Sequence, residues 1–199
     1  MKESWYGDKR DLLKWSAVLQ LCKQHEVDVV FHIAMLTHSA AHEFEIDGNR
    51  FPVVDPVWKH FRSLRNVERL FGSPKLHIFE QGFTHAKRRS YFDDALEELK
   101  LLTGRKLVLI DPDTGLAPKS ASEKHVRADE CQAIWENLAS GDLLLLYQHQ
   151  WRENQWRQRV VAKMREALNF SHVIRVEAPG FASDVILVGA VKSLRAACE

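Results

Sequence analysis

Apolar residues recur along the chain with two different spacings, and each spacing predicts a type of secondary structure. From residue 9 to residue 24 they return every three or four positions, which is typical of an amphipathic helix. Asp8 stands directly before this segment, where its carboxylate can cap the first turn. The buried stripe of this helix is predicted to contain Leu12, Trp15, Leu19 and Cys22, and Leu13 and Val18 widen it. The same spacing predicts further helices over residues 55–71, 90–102, 122–138 and 151–168.

Short apolar runs without alternation predict strands that are covered on both faces. The clearest run is 106–110, and it should end near Asp111 because Pro112 cannot donate to a sheet ladder. A second run of this kind covers residues 143–147. Further strands are predicted over residues 27–36, 76–79, 172–177 and 184–191. A small β-hairpin insertion is predicted near residues 43–53, around an Asp-Gly turn.

Strand and helix segments alternate along most of the chain, which favours a parallel sheet with helices on both faces. The last two strands are joined by residues 178–183, a connection too short for a helix, so they should pair antiparallel. We therefore predict an α/β fold, a three-layer sandwich whose mostly parallel sheet carries a C-terminal antiparallel strand pair. Residues 1–199 are predicted to form a single α/β domain.

Composition narrows the class of protein without naming its function. With 45% hydrophobic and 28% charged residues, the chain has the composition of an ordinary soluble globular protein. Its net charge of +1 is too small to indicate a nucleic-acid or membrane partner. The three cysteines form no CxxC pair, which fits a reducing compartment. No apolar run reaches transmembrane length, so we expect a cytoplasmic protein without a membrane partner.

The side chains best suited to catalysis or ligand binding lie at the ends of the predicted strands. Asp111 and Asp113 follow the first buried strand, and Tyr147, Gln148 and His149 end the next one. Because ligands of open α/β folds bind at the carboxyl edge of the sheet, these groups are predicted to share one crevice there. Three residues from earlier in the chain are predicted to join them, namely Asp8, Lys14 and His38. The alternative is a plain turn, since Asp, Pro, Thr and Gly all favour turns.

The closing strand pair resembles that of the Rossmann-like methyltransferases. In that superfamily the fourth strand often ends in Asp-Pro-Pro-Tyr, which the segment 111–114 (DPDT) matches at its first two positions. The segment 7–15 (GDKRDLLKW) is similar to the leading helix of a ribosomal-RNA adenine methyltransferase family. The DPDTG and YQH segments, at 111–115 and 147–149, together resemble a bacterial family to which no function is attached.

This resemblance implies a Rossmann-like fold, S-adenosylmethionine as cofactor and a nucleic-acid substrate bound through basic helices. The residues it places at the cofactor are Asp8, Lys14, His38 and Glu80, and at the reaction centre Asp111, Asp113, Tyr147 and His149. Glu80 takes the position of the ribose-binding acid, and Tyr147 replaces the base-stacking aromatic residue that is missing after Pro112. The turn after the first strand lacks the glycines through which such proteins approach the cofactor, so the cofactor loop is degenerate.

Two other functions remain open from the sequence. Asp111 and Asp113 can hold a divalent cation, Mg²⁺ or Mn²⁺, with His149 or His125 as a further ligand or general base, in a metal-dependent phosphohydrolase or nuclease. The chain can also be a non-catalytic binding module on a methyltransferase-like fold, which the glycine-free turn favours. His32, inside a predicted strand, is expected to be a hydrogen-bonded core histidine.

Overall fold

A computed structural model describes residues 8–36, 43–46, 49–52, 65–118, 120–170 and 172–193. The helices in these ranges are α1 (Lys9–Gln24), α2 (Arg65–Glu68), α3 (Arg88–Leu101), α4 (Ala128–Glu136) and α5 (Trp156–Leu168). The strands are β1 (Val29–Ile33), β2 (Glu43–Ile46), β3 (Asn49–Pro52), β4 (Lys75–Phe79), β5 (Lys106–Ile110), β6 (Gly115–Leu116), β7 (His125–Val126), β8 (Leu143–His149), β9 (Ile174–Ala178) and β10 (Ala182–Val191). None of the described helices is long and apolar enough to cross a bilayer.

Six of the described strands form one sheet in the order β4-β1-β5-β8-β10-β9. The first four pair parallel with their neighbours. Strand β10 runs antiparallel to both β8 and β9. The predicted α/β fold, with a mostly parallel sheet and an antiparallel pair at its C-terminal end, is therefore confirmed.

Alternating side chains along the strands pack into two separate cores, one on each face of the sheet. On β5, Leu107 and Leu109 belong to the core under α1, whereas Val108 and Ile110 belong to the core under α3, α4 and α5. This is the two-residue period of a strand, and all four side chains are fully buried because helices cover both faces. Because alternate residues of a strand point to opposite faces of the sheet, the position of a residue along its strand decides which helices it contacts. We call this alternation strand parity below.

Helix α1 begins where the sequence predicts, but its buried face is rotated. The Asp8 carboxylate accepts hydrogen bonds from the backbone N–H groups of Arg10 and Asp11, as an N-cap residue does. Leu12, predicted to be buried, is 62% exposed. Leu13, predicted to widen the stripe, is buried, and Lys14 beside it is only 1% exposed. The rotation places a charged side chain of α1 against the sheet.

Other boundaries differ from the prediction for local reasons. Helix α4 starts at Ala128 rather than near Ser122, because the Ser122 hydroxyl pairs with His125 Nδ1 and residues 115–116 pair with 125–126. Helix α5 starts at Trp156, five residues later than predicted. Strands β2 and β3 pair antiparallel at the predicted hairpin. Of the helix predicted over residues 55–71, only α2 lies within the described residues.

Candidate functional site

A cavity of about 340 Å³ opens at the carboxyl ends of β5 and β8, next to the start of α1. Its walls come from three segments of the chain that are far apart in sequence. They are Asp8, Arg10, Asp11 and Lys14 from the helix, Asp111, Pro112, Asp113 and Thr114 after β5, and Tyr147 and His149 from β8. This volume lies at the small end of the range for ligand pockets, about 300–1,000 Å³.

Strand parity explains which side chains reach this cavity. On β8, Leu143, Leu145 and Tyr147 belong to the core under α1, so His149, two residues further, continues on the same face. Asp111 follows Leu107 and Leu109 on β5 in the same way. The cavity is therefore the polar continuation of the α1 core beyond the strand ends.

The Asp111 carboxylate is the centre of a buried polar cluster. Its Oδ2 lies 2.8 Å from Lys14 Nζ and 3.1 Å from His32 Nε2. Lys14 Nζ also lies 2.8 Å from Asp11 Oδ1, so the ammonium is held between two carboxylates. Asp111 and His32 are both 0% exposed. Such a cluster is retained only where charges are paired, because an isolated buried charge is very costly.

The charge state of this cluster follows from its contacts. Burial by itself raises the pKa of Asp111, but the Lys14 ammonium and the hydrogen bond from His32 hold that pKa well below its usual range. Burial by itself lowers the pKa of Lys14, and the carboxylates of Asp111 and Asp11 raise it above its ordinary value. Burial lowers the pKa of His32. At neutral pH the cluster is thus a carboxylate and an ammonium joined to a neutral imidazole.

One oxygen of the Asp111 carboxylate accepts no hydrogen bond from the described residues. Asp111 Oδ1 is buried and has no hydrogen-bond partner among the described residues. Buried polar atoms in folded proteins are nearly always hydrogen-bonded, so an exception in the wall of a cavity is informative. Oδ1 offers one strong acceptor to a ligand that carries an N–H or O–H group.

Tyr147 and His149 form the aromatic part of the wall. Their rings are 5.1 Å apart and nearly perpendicular. Lys14 Nζ lies 4.9 Å from the centre of the Tyr147 ring, a cation–π contact. Burial and the nearby Arg10 lower the pKa of His149, so its ring is neutral at physiological pH and can accept a proton.

An ion pair between α1 and β10 lies beside the cavity, since Arg10 of the cavity wall binds Asp184 of β10. The Arg10 guanidinium donates to Asp184 Oδ2 through Nε, at 2.9 Å, and through Nη2, at 2.5 Å. Its Nη1 donates to Asp8 Oδ2 at 3.0 Å. The hydrogen bond that Arg10 donates to Asp184 raises the pKa of Arg10. Because Arg10 is already bound by two carboxylates, it is poorly placed to recognise an anionic ligand.

Gln148 faces away from the cavity and fixes the segment that carries Asp113. Its Oε1 accepts the Leu116 N–H at 2.7 Å, and its Nε2 donates to the Thr114 carbonyl at 3.0 Å. Gly115 lies under this amide with φ of +110°, and a Cβ there would stand 2.3 Å from Gln148 Oε1. The prediction that Gln148 belongs to the crevice is wrong, because its parity directs it to the opposite face.

The structure brings six of the predicted site residues together. The cavity is lined by Asp8, Lys14, Asp111, Asp113, Tyr147 and His149. Glu80 lies elsewhere, exposed and one residue beyond β4, the edge strand that β1 separates from β5. His38 lies outside the described residues.

The metal alternative finds no set of ligands in the described part of the chain. No group of three or more His, Cys, Asp and Glu side chains there could hold a metal ion. Asp111, which that hypothesis needs as a ligand, is bound by Lys14. His125 Nδ1 lies 2.8 Å from the Ser122 hydroxyl. The position expected for a cation beside Asp111 is thus taken by the protein's own ammonium.

The basic face predicted on α5 is largely used within the protein. Arg157 donates to the Ser183 carbonyl, and Arg159 pairs with Glu153. Lys163 donates to the Ala117 carbonyl at 3.0 Å. These contacts hold α5 against neighbouring loops, so they explain the charges on this helix without a phosphate backbone.

Comparison with known proteins finds solved structures whose backbone superposes on this one. No family model matches the chain, and no curated protein matches it. A crystal structure from Thermobifida fusca, described as that of a candidate methyltransferase, superposes with a TM-score of 0.45 and 10% identity over 92% of this chain and 80% of that one. A DUF574 family protein from Streptomyces avermitilis superposes with a TM-score of 0.43 and 12% identity, over 92% and 82%. The fold assignment rests on the strand order given above.

Three members of the site were not predicted from the sequence. Arg10 and Asp11 were not among the predicted site residues, and His32 was expected in the core. His32 is indeed hydrogen-bonded in the core, but its partner is Asp111, 79 residues away. Strand parity offers a signal for this pair, because β1 and β5 pair in register and His32 lies opposite Leu109, on the face shared with α1.

Proposed function

We propose that this protein is an S-adenosylmethionine-dependent methyltransferase that transfers the methyl group to an acceptor nitrogen held in the cavity at Asp111. The observation that carries the proposal is the buried Asp111 Oδ1, an ionised acceptor without a partner among the described residues, at the carboxyl edge of a Rossmann-like sheet. An unmatched acceptor at this place is suited to hold an N–H group of a substrate.

The residues present fit a cationic cofactor. Acidic side chains outnumber basic ones in the cavity wall, and Glu80 follows β4 where a ribose-binding acid is expected. Met35, just after β1, has φ of +42°, the left-handed conformation that glycine usually supplies at such a turn. Asp8 would hold the group in the cavity, and Glu80, which lies outside the cavity just after β4, would bind a part of it that extends beyond the cavity. When bound, S-adenosylmethionine supplies an electrophilic methyl group on a positively charged sulfur.

The left-handed turn is fixed by a contact of the fold. The Met35 N–H donates to the Tyr91 hydroxyl at 2.9 Å, and the Met35 side chain is fully buried. A non-glycine residue in this conformation costs free energy, of order 1–3 kcal/mol, and persists where its surroundings enforce it. The chain after β1 thus has one residue in the left-handed conformation although the segment lacks the glycines.

Each residue of the cavity has a defined role in this proposal. Asp111 stays ionised because of Lys14, so it accepts a hydrogen bond from the acceptor nitrogen and orients its lone pair, rather than acting as a strong base. His149 is neutral and lines the same cavity, so it can take the proton that the nitrogen releases. Tyr147 supplies an aromatic wall against which the acceptor packs.

Nucleic acid, the substrate predicted from the basic helices, is the less favoured acceptor. Arg157, Arg159 and Lys163 are bound to acceptors of the protein itself. Specific and non-specific nucleic-acid binding both depend on cations that are free to neutralise phosphates.

Calorimetric titration with S-adenosylmethionine and with S-adenosylhomocysteine tests the proposal directly. We expect saturable binding of both, weakened at least tenfold by Glu80→Gln, with Asp94→Asn on the opposite face of the sheet as a matched control. The Asp111→Asn variant should still bind the cofactor but lose methyl transfer. Absence of binding by a protein with a normal cooperative unfolding transition would show that the chain is a binding module and not a methyltransferase.

A further inference from the structure

We infer that the acceptor bound in this cavity is a small organic amine that carries positive charge, and that nucleic acid is excluded. The inference rests on the proposed function, since it names the substrate class of the same site. It depends on the charge of the cavity wall, on the unpartnered Asp111 Oδ1 and on the aromatic pair beside it.

Carboxylates dominate the wall of the cavity. Four aspartates line it against two cations, and a fifth carboxylate, that of Asp184, binds Arg10 of the wall. Both cations are already shared between carboxylates, Lys14 by Asp11 and Asp111, and Arg10 by Asp8 and Asp184. His149 adds no charge at neutral pH. The wall therefore carries a net negative charge that its own residues leave uncompensated.

An acidic wall alone does not define a ligand, but Asp111 Oδ1 is an independent indication. It is a buried acceptor that lacks a donor among the described residues, and it belongs to a residue that lines the cavity. A protonated or neutral amine provides that donor, and its positive charge is stabilised by the surrounding carboxylates. The Tyr147 ring already receives one ammonium, that of Lys14, which shows that this wall tolerates a cation close to an aromatic face.

The same charges exclude a nucleotide. A nucleotide bound in this cavity of about 340 Å³ would bring its phosphates close to the carboxylates of the wall, those of Asp8 and Asp113 among them. Charges closer together than the screening length, about 8 Å at physiological salt, repel each other with little screening. The reacting nitrogen has to be neutral, because a protonated amine has no lone pair, so an ammonium at that position would first lose a proton to water. S-adenosylmethionine, when bound, would supply the methyl group and leave as S-adenosylhomocysteine. The proton that the methylated nitrogen then releases would pass to His149 or water.

Calorimetric titration of three amines in the presence of saturating S-adenosylhomocysteine tests this inference. The probes are agmatine, spermidine and phenethylamine, compared with adenosine monophosphate and a twelve-nucleotide single-stranded RNA. We expect at least one amine to bind, and the phosphate compounds not to bind. Asp113→Asn should weaken amine binding at least fivefold, and Asp94→Asn should leave it unchanged.

The outcomes separate this inference from the proposed function. If the cofactor binds and the amines do not, the methyltransferase proposal stands and the amine assignment is overturned. If the RNA binds and Asp113→Asn strengthens its binding, the acceptor is nucleic acid. If an amine binds with the expected dependence on Asp113 while the cofactor does not, the cavity is an amine site without methyl transfer, and only the ligand class survives.

Discussion

Lys14 Nζ and Asp111 Oδ2 lie 2.8 Å apart and are both buried, one on the first helix and the other just after the central strand. This contact joins residues 97 positions apart and sets the charge of the candidate site. Because the ammonium keeps Asp111 ionised, the carboxylate acts as a fixed acceptor over the whole physiological pH range.

The Lys14→Met variant should be strongly destabilised. It removes the cation shared by Asp11 and Asp111 while leaving their charges in place, and breaking a buried pair in this way costs about 3–5 kcal/mol. Urea unfolding followed by far-ultraviolet circular dichroism measures the loss. Lys9→Met, an exposed position in the same helix, should change stability by less than about 0.5 kcal/mol. Similar stabilities for the two variants would mean that Lys14 is not paired as described.

The buried His32 should make folding stability depend on pH below neutrality. Burial lowers its pKa in the folded protein, while the unfolded chain keeps the ordinary value of about 6.5. The stabilising contribution is therefore complete above that value and is lost as the pH falls through the folded pKa. His149 acts in the same direction. The slope is at most about 1.4 kcal/mol per pH unit for each group.

Urea unfolding between pH 7.5 and pH 5 measures this effect. The His32→Gln variant should show a flatter dependence on pH than the unaltered protein, whatever its stability at pH 7.5. His85→Gln, at an exposed position, serves as the control. An unchanged slope in His32→Gln would contradict the assignment of a neutral buried imidazole.

Gly115→Ala should damage both the fold and the site. A Cβ at this residue would collide with the Gln148 amide, and its φ of +110° is unfavourable for alanine. We expect a loss of about 2 kcal/mol or more in the free energy of unfolding. Gly180→Ala, where the added Cβ would meet no atom within 4 Å, should have little effect. Adding Gln148→Ala to Gly115→Ala should relieve the collision but not the strain at φ, and partial rescue in thermal unfolding distinguishes the two causes.

Divalent cations should leave the protein unchanged. Since Lys14 holds the place beside Asp111, adding Mg²⁺ or Mn²⁺ at millimolar concentration should shift the unfolding temperature by less than about 1 °C, and so should EDTA. Asp113→Ala should not alter this behaviour. A metal-dependent rise in the unfolding temperature that disappears in Asp113→Ala would restore the phosphohydrolase hypothesis.

The sequence was sufficient for the architecture because the strands are strongly apolar and separated by clear helical periods. The run 106–110 and the short connection 178–183 were enough to predict the central strand and the antiparallel end of the sheet, and both agree with the structure. Boundaries were harder where polar residues compete for the backbone. Ser122 has the properties of a helix cap, but its hydroxyl is engaged by His125 in a short ladder before the helix begins.

The site was predictable in part for a related physical reason. Pro112 and the change from leucines to polar residues at Tyr147 mark where the two strands end. The location of the cavity could therefore be predicted from the sequence. The side chains that complete it do not, since the pairing of Lys14 with Asp111 depends on how α1 is rotated on the sheet. Leu12 and Leu13 are equally apolar, and only tertiary packing decides which of them is buried.

The reversed direction of β10 makes the entrance to the cavity adjustable. The parallel strands bring their carboxyl ends to this edge, whereas β10 brings its beginning, so Asp184 follows shortly after the β9–β10 turn. That turn includes Gly180, around which there is open space. Residues inserted there would lie a few positions before Asp184, which binds Arg10 of the cavity wall. For protein engineering, this turn is a natural place to graft a loop that changes which molecules are admitted.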